Sequence, residues 1–376
     1  MIMVLVTKAG VAYEGEESFR YEDVSIEAPR ANELLVKVAG VGICHTDLVA
    51  KSGAIAYPFP AVLGHEGSGV VQAVGCDVTK VKPGDRVLIT FRSCGECDRC
   101  EQGYASYCRS MGALNFIGRR EDESSALSNQ QGPVSSNFFG QSSFAAHALT
   151  YERNVVKVDD EQLPLAIMGP LGCGIQTGVG AVVRSLEAQS GSSIFIAGGG
   201  AVGLSAVMGA KIQQCKTIIL LEPVASRREL ALELGATHCI DPTSGSDLAE
   251  VVHAIVATGV DYAIDTTGKA EIQNSCLQSL GSKGVLGIVG VSPPGTPPPG
   301  DIGELINRGL TIKGIMIGDS DPDIFIPELI AHFKAGRLPF EKMVKTFKLS
   351  EINEAVADQH SGGCVKVVLI PDEEDV

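Results

Sequence analysis

One run, residues 194–222, constrains the fold more than any other stretch of the chain. It begins with a short apolar segment, 194–197, and then places Gly198, Gly199, Gly200 and Gly203 around Val202. A helix-compatible segment (204–213) and a second apolar run (217–221) follow, ending at Glu222. The order predicts strand, tight turn, helix, strand and acid. In a dinucleotide site Gly198 permits the sharp exit from the strand and Gly200 lets a pyrophosphate approach the backbone. Gly203 lets helix and strand pack closely, so the anion sits on the helix N-terminus. Glu222 lies nineteen residues past Gly203, near the spacing of about 20 expected of a carboxylate that binds an adenine-ribose hydroxyl. A glycine-rich turn alone says little, but the strands, helix and acid in register predict a dinucleotide site. The apolar run 194–210 is interrupted by glycines and falls short of the ~20 residues a membrane span needs.

At 376 residues the chain is long enough for two or three domains, and 44% apolar with 20% charged residues is the composition of a soluble enzyme. A net charge of −15 opposes a nucleic-acid partner. The first residues offer six apolar side chains before Lys8 and no basic region ahead of them, which does not read as a signal peptide. The expectation is a cytoplasmic, reducing location with no membrane partner. Eleven cysteines then point to metal or thiolate chemistry rather than a disulfide framework.

In chain order, residues 34–41 alternate like a strand, and Cys44, His45, Thr46 and Asp47 follow a turn at Gly42. Gly64-His65-Glu66-Gly67 comes next, then a strand-like run to about Gly75 and a turn-strand over 82–89. Any one Cys or His here reads as a packed side chain. Cys94, Cys97, Cys100 and Cys108 are different: four thiolates within fifteen residues can close a tetrahedral shell without an open position. That predicts a structural zinc ion over a redox Cys-x-x-Cys. Residues 119–137 are polar and aperiodic and are expected to form a long surface loop. Cys173, in Gly-Pro-Leu-Gly-Cys-Gly, falls just before the dinucleotide unit. After Glu222 strands and helices alternate to about residue 316, which predicts a doubly wound parallel sheet. The tail from 324 breaks the repeat and is expected to fold back on the first domain.

The motifs GxCHTD (42–47), GHEGSG (64–69), GDRV (84–87), the four-cysteine lobe, GCGxxTG (172–178) and AGGGAVG (197–203) occur in one order. In that order the chain resembles the zinc-dependent medium-chain alcohol dehydrogenases over essentially its whole length. Within them it is most similar to the aryl-alcohol (benzyl-alcohol) dehydrogenases, through residues 138–149, 169–178 and the tail segments 325–330 and 338–345. The resemblance implies an α/β fold: a GroES-like, mostly β catalytic domain (1–173 and 317–376, with two zinc sites) and a Rossmann domain (174–316). It implies Cys44, His65 and Cys173 as catalytic zinc ligands, with the fourth place open for substrate, as the chemistry requires. Thr46 matches the proton-relaying hydroxyl, Asp47 the carboxylate behind the ligand histidine, and Glu66 an acid beside the zinc. His45, Thr177, Arg227 and Lys366 match cofactor contacts alongside the glycine turn and Glu222. Phe91, three residues before the lobe, is a candidate wall of the substrate pocket, or simply core. A small-molecule alcohol and its aldehyde, two zinc ions per chain, NAD and a homodimer or homotetramer complete the expectation.

Val49 stands where many relatives carry a relay histidine, so the proton is expected to leave Thr46 by ribose or water. Glu222 replaces the more usual Asp; it favours NAD over NADP by repelling a 2′-phosphate, although Arg227 and Arg228 lie near in sequence. Three other readings stand beside this one. Glutathione-dependent formaldehyde dehydrogenase would need a basic residue in the substrate site. A non-catalytic zinc and nucleotide-binding protein would not need Cys44, His65 and Cys173 together, and a zinc-ribbon nucleic-acid binder is opposed by the charge.

Overall fold

The computed structural model describes residues 4–245 and 247–375, which divide into two compact units. The first comprises 1–173, 321–328 and 341–376, and the second 174–320 and 329–340. Residues 317–320 and 329–340, placed with the catalytic domain on sequence grounds, therefore cluster with the second unit, and the helix Pro322–Lys334 is divided between the two.

In the second unit the strands Ser193–Ala197, Thr217–Leu221, His238–Ile240, Val260–Asp265, Leu280–Ile288 and Thr311–Gly314 form one parallel sheet. Numbered along the chain, its spatial order is 3-2-1-4-5-6, the doubly wound arrangement. Helices cover both faces of such a sheet, so its central strands are continuously apolar: every residue of Ser193–Ala197 is buried. Phe195, Ile219, Ala263 and Leu286 meet Val252 and Leu277 of two helices in one core. Asp265, fully buried at the end of its strand, is stabilised by four hydrogen bonds. Its Oδ1 accepts from the Thr267 backbone and hydroxyl, and its Oδ2 from the Gly268 N–H and Gln273 Nε2.

The first unit is mostly β. A seven-stranded sheet centres on Glu33–Gly42, which pairs antiparallel with Gly67–Val74, His147–Tyr151 and Lys366–Ile370. Val344–Lys348 and Lys366–Ile370 lie parallel, so the tail returns to this sheet as the broken repeat predicted. A five-stranded sheet contains Val4–Ala12, Arg20–Glu27 and a short hairpin, Leu127–Asn129 with Gly132–Val134. That hairpin corrects the surface loop expected over 119–137. Its strands are three residues each and include Pro133, too short to show alternation, but the segment is anchored by a buried ion pair. Arg120, 4% exposed, donates to both oxygens of Glu33 at 2.7 and 2.8 Å. Among the described residues no helix is long and apolar enough to cross a membrane.

Candidate functional site

Cys44 caps the helix His45–Lys51, and the third helical residue, Asp47, reaches back to accept the Cys44 N–H at 2.8 Å. A carboxylate there also complements the helix dipole. Its other oxygen accepts the Gly64 N–H at 3.1 Å and lies 2.8 Å from His65 Nδ1. Asp47 and His65 are 0% and 1% exposed, so this contact fixes the imidazole with its proton on Nδ1. Nε2 is then left with its lone pair and, among the described residues, no hydrogen-bond partner. A buried nitrogen in that state requires an explanation. Its surroundings supply one: Cys44, His65, Glu66 and Cys173 each offer a ligand atom, all within 4.8 Å of one another. Two sulfurs, a neutral imidazole and a nearby carboxylate are donors that suit zinc.

Electrostatics agree. The hydrogen bond between Cys44 and Cys173, helped by His65 and Lys366, holds Cys44 well below the ordinary thiol range despite its burial. The same bond, together with burial, pushes Cys173 well above it. Burial would lower His65, but Asp47 and Cys44 outweigh it and hold the imidazole well above its usual value. A bound cation would replace the second proton that this environment favours on the imidazole, leaving Nε2 its lone pair for the metal. Thr46 Oγ1 lies 3.8 Å from Cys44 Sγ, which places the expected relay hydroxyl at the centre.

Lys366, expected as a cofactor contact, has its ammonium beside the Cys44, His65, Glu66 and Cys173 donor cluster. Nζ donates to Glu66 Oε1 and Oε2 at 2.9 and 2.8 Å and to the Ile43 carbonyl at 3.1 Å. Burial would lower its pKa, and the Glu66 carboxylate outweighs this and raises it. Burial raises Glu66 in turn, against the pull of Lys366. Room for the Glu66 carboxylate comes from Gly42, where a Cβ would lie 2.0 Å from Oε2.

An aromatic cluster flanks His65. The Phe139 ring stacks on the imidazole, 4.4 Å between centroids at 21°, and Phe138 meets it edge-on at 5.6 Å. Phe116 and Tyr57 complete the group through Phe138 and Phe139. Phe91 is buried, 3% exposed, and stands outside this cluster. Phe138, Phe139 and Gln141 were not singled out as site residues, because none lies in a metal-ligand or glycine-turn pattern; Glu66 and Lys366 were, but their contact with each other was not.

The second cluster is Cys94, Cys97, Cys100 and Cys108. Cys97 and Cys100 sulfurs are 3.6 Å apart and those of Cys94 and Cys100 3.9 Å, close to the ~3.8 Å edge of a tetrahedron with Zn–S near 2.3 Å. Backbone N–H groups of Cys94 and Ser110 donate to Cys108 Sγ, and that of Arg109 to Cys97 Sγ. The Arg109 N–H leads in bringing Cys97 down to about 6. Arg109 also grips Asp98 through two bonds of 2.8 and 2.9 Å, closing the lobe.

In the second unit the glycine turn opens the helix Ala201–Ile212. Gly198 has φ +99°, and a Cβ on Gly203 would lie 1.7 Å from the Gly198 carbonyl oxygen. At Gly200 a Cβ would meet nothing within 4 Å, so protein packing does not require glycine there; close approach of a ligand does. Glu222, 4% exposed, is held in this turn by the N–H groups of Gly199 (2.7 Å) and Val224 (2.9 Å). Arg228 is engaged with Asp241 at 2.9 Å and with the Glu222 and Pro223 carbonyls. Val202 and Arg227 lie on the helices Ala201–Ile212 and Ala225–Leu234, Thr177 is buried in Gly174–Gly180, and His45 is exposed at the start of its own helix.

A unit with two cysteine-rich donor clusters and a unit with a dinucleotide turn define a zinc-type dehydrogenase. Residues 30–160 match the alcohol dehydrogenase GroES-like domain and residues 201–334 the zinc-binding dehydrogenase domain. The chain is 45% identical over 350 residues to a geraniol dehydrogenase of Castellaniella defragrans, covering 93% of each. Among solved structures it is similar to an alcohol dehydrogenase zinc-binding domain protein from Burkholderia ambifaria (TM-score 0.95, 45% identity, 98% of this chain and 99% of that one). It is also similar to benzyl alcohol dehydrogenase from Acinetobacter calcoaceticus (TM-score 0.93, 39% identity, 98% and 100%). The chain belongs to the zinc-dependent medium-chain alcohol dehydrogenase family.

Proposed function

We propose that this enzyme interconverts primary alcohols and aldehydes with NAD, and prefers alcohols whose carbinol carbon adjoins a π system, with benzyl alcohol as the type. The observation that carries the reading is the orphaned Nε2 of His65 among Cys44, Cys173 and Glu66, with the Phe139 ring stacked on the same imidazole. Cys44, His65 and Cys173 would hold a zinc ion, which when bound supplies a Lewis acid that lowers the pKa of the alcohol hydroxyl. Asp47 keeps the His65 lone pair directed at that position. Thr46 Oγ1 accepts the hydroxyl proton and passes it to ribose or water, since Val49 has no proton to relay. A bound NAD+ would supply the hydride acceptor for the carbinol carbon, so that one alcohol and one NAD+ would give one aldehyde, one NADH and one proton. Phe138 and Phe139 favour a flat, unsaturated group beside the reacting carbon, a feature that geraniol and benzyl alcohol share. Phe91, outside that cluster, is a separate candidate for the pocket wall. Glu222 binds the adenine ribose, with the backbone of 198–203 on the pyrophosphate; His45, Thr177 and Arg227 are further cofactor contacts in this reading.

Initial rates with benzyl alcohol, cinnamyl alcohol, geraniol, ethanol and hydroxymethylglutathione, each with NAD and NADP, test it. The expected order puts the three unsaturated alcohols first, with NAD. A kcat/KM for ethanol or hydroxymethylglutathione at or above that for benzyl alcohol would overturn the substrate assignment.

A further inference from the structure

Beside the metal centre, residues 137–142 turn through a conformation that side chains disfavour. Asn137, Phe139 and Ser142 have φ of 64°, 51° and 52°, and Gly140 has 67°. Three non-glycine residues in the left-handed region within one short turn persist only where the surroundings over-determine them. The surroundings converge on Gln141, which is 1% exposed. Its Nε2 donates to the carbonyls of His65 (2.9 Å) and Thr90 (3.1 Å), and its Oε1 accepts the Gly67 N–H (3.1 Å) and the Ser143 hydroxyl (2.5 Å). These contacts engage both amide protons and both acceptor positions of the side chain. Asn154 braces the same junction, donating from Nδ2 to Thr90 (3.1 Å) and Phe139 (2.8 Å) carbonyls. Gly67 makes room for it: a Cβ there would lie 2.6 Å from Ser143 Oγ and 3.0 Å from Gln141 Oε1. One carboxamide therefore ties the backbone that carries His65, the residue after the strand Arg86–Ile89, and the turn that presents Phe138 and Phe139.

We propose that Gln141 is a positioning residue for substrate choice: it fixes Phe138 and Phe139 against His65 and so sets how strongly the enzyme prefers one alcohol over another. The inference rests on the alcohol dehydrogenase reading above and deepens it. A purely structural amide would, when lost, lower the fraction of active molecules and depress every substrate alike. A positioning amide changes the ratio between substrates, which is independent of that fraction.

The test is Gln141→Met, which keeps the length and removes all four bonds. The kcat/KM ratio of benzyl alcohol to ethanol is measured against wild type, with zinc content, NADH fluorescence and melting temperature recorded for both. The expected result is a fall in that ratio of about tenfold, the scale of discrimination carried by a small change in an apolar pocket. It should appear mainly as a raised KM for benzyl alcohol, with zinc and NADH binding retained. An unchanged ratio with both rates lowered together would overturn the proposal. Should Gln141→Met not accumulate as folded protein, Ser143→Ala removes one bond to Oε1 and decides the matter: a smaller shift in the same direction supports the role, and an unaltered ratio refutes it. The wild-type ratio in the same assay judges the aromatic preference separately. If another alcohol heads the series, the variant is read on the ratio of that alcohol to the poorest one.

Discussion

Lys366→Met should destabilise the first unit strongly. Lys366 and Glu66 side chains are 2% and 0% exposed, and the three ammonium protons face three acceptors within 3.1 Å. Stranding one partner of a buried ion pair costs ~3–5 kcal/mol. Burial already holds Glu66 above the usual carboxylate range, so it can take a proton once the cation is gone; the lower end, ~3 kcal/mol, is expected. In a unit of this size each kcal/mol moves Tm by roughly 2–4 °C, giving a fall of about 10 °C. The Lys366 pKa is raised above its ordinary 10.5, so its stabilisation is fully present below that pH and lost only as pH rises through the folded value. Melts at pH 7 therefore read it in full. The double variant Lys366→Met with Glu66→Gln should recover most of the loss, because no charge is left buried. A single variant melting within 1 °C of wild type, or a double variant no better than the single, would refute the reasoning. NADH binding of the same variant tests the expected cofactor contact: weakening of about tenfold, ~1.4 kcal/mol, would support it, and unchanged binding would count against it.

The two thiolate clusters should separate by mutation. Cys100→Ser should lower Tm and remove the zinc that contributes folding energy, whereas Cys173→Ser should abolish alcohol oxidation and keep NADH fluorescence; high turnover in Cys173→Ser with one zinc per chain would overturn the catalytic assignment. Glu222→Ala should lower the NAD-to-NADP ratio of kcat/KM about tenfold by removing the carboxylate that repels a 2′-phosphate. A wild-type ratio of one or less would dispose of that argument. His147, 7% exposed and 3.0 Å from the Thr7 hydroxyl, has its pKa lowered first by burial and then by Lys37. Its stabilisation is present above the ordinary value of 6.5 and lost as pH falls through the lower folded value. Tm should therefore drop more between pH 7 and 5 in wild type than in His147→Gln, and parallel curves would contradict it.

Local chemistry made some parts of this molecule readable in the sequence, and long-range geometry hid the rest. The parallel sheet was legible because each buried strand is a continuous apolar run punctuated by glycine or acid, as at 193–197 and 217–221. The four-cysteine lobe was legible because its close spacing suits one metal shell; Cys44, His65 and Cys173, far apart along the chain, were legible only through the family resemblance. The hairpin at 127–134 was not, because strands of three residues show no period. Nor was the junction at Gln141, since a buried amide earns its place only through partners 51 to 76 residues away along the chain. The Lys366–Glu66 contact shows the same limit: strand pairing with Glu33–Gly42 brings Lys366 to Glu66, 300 residues distant.

That pairing also explains why a lysine can stay charged at the centre of this unit. When a metal is held, Cys44 and Cys173 are thiolates and His65 is neutral, so a divalent cation cancels the two sulfurs. Glu66 and Lys366 cancel one another. Asp47 is the charge left over, and it receives three donors: the Cys44 and Gly64 N–H groups and His65 Nδ1. Those three donors satisfy the buried carboxylate without a countercharge. Removing Lys366 therefore does more than delete a contact. In the metal-free protein Glu66 can neutralise itself by taking a proton, but beside a bound divalent cation it would keep its charge, which strengthens attraction for the cation and gives Glu66 reason to compete as a ligand. The expected sign is a Lys366→Met protein that melts earlier yet releases zinc to a chelator no faster than wild type. Faster release would show that the ammonium holds the ligand geometry rather than only balancing charge.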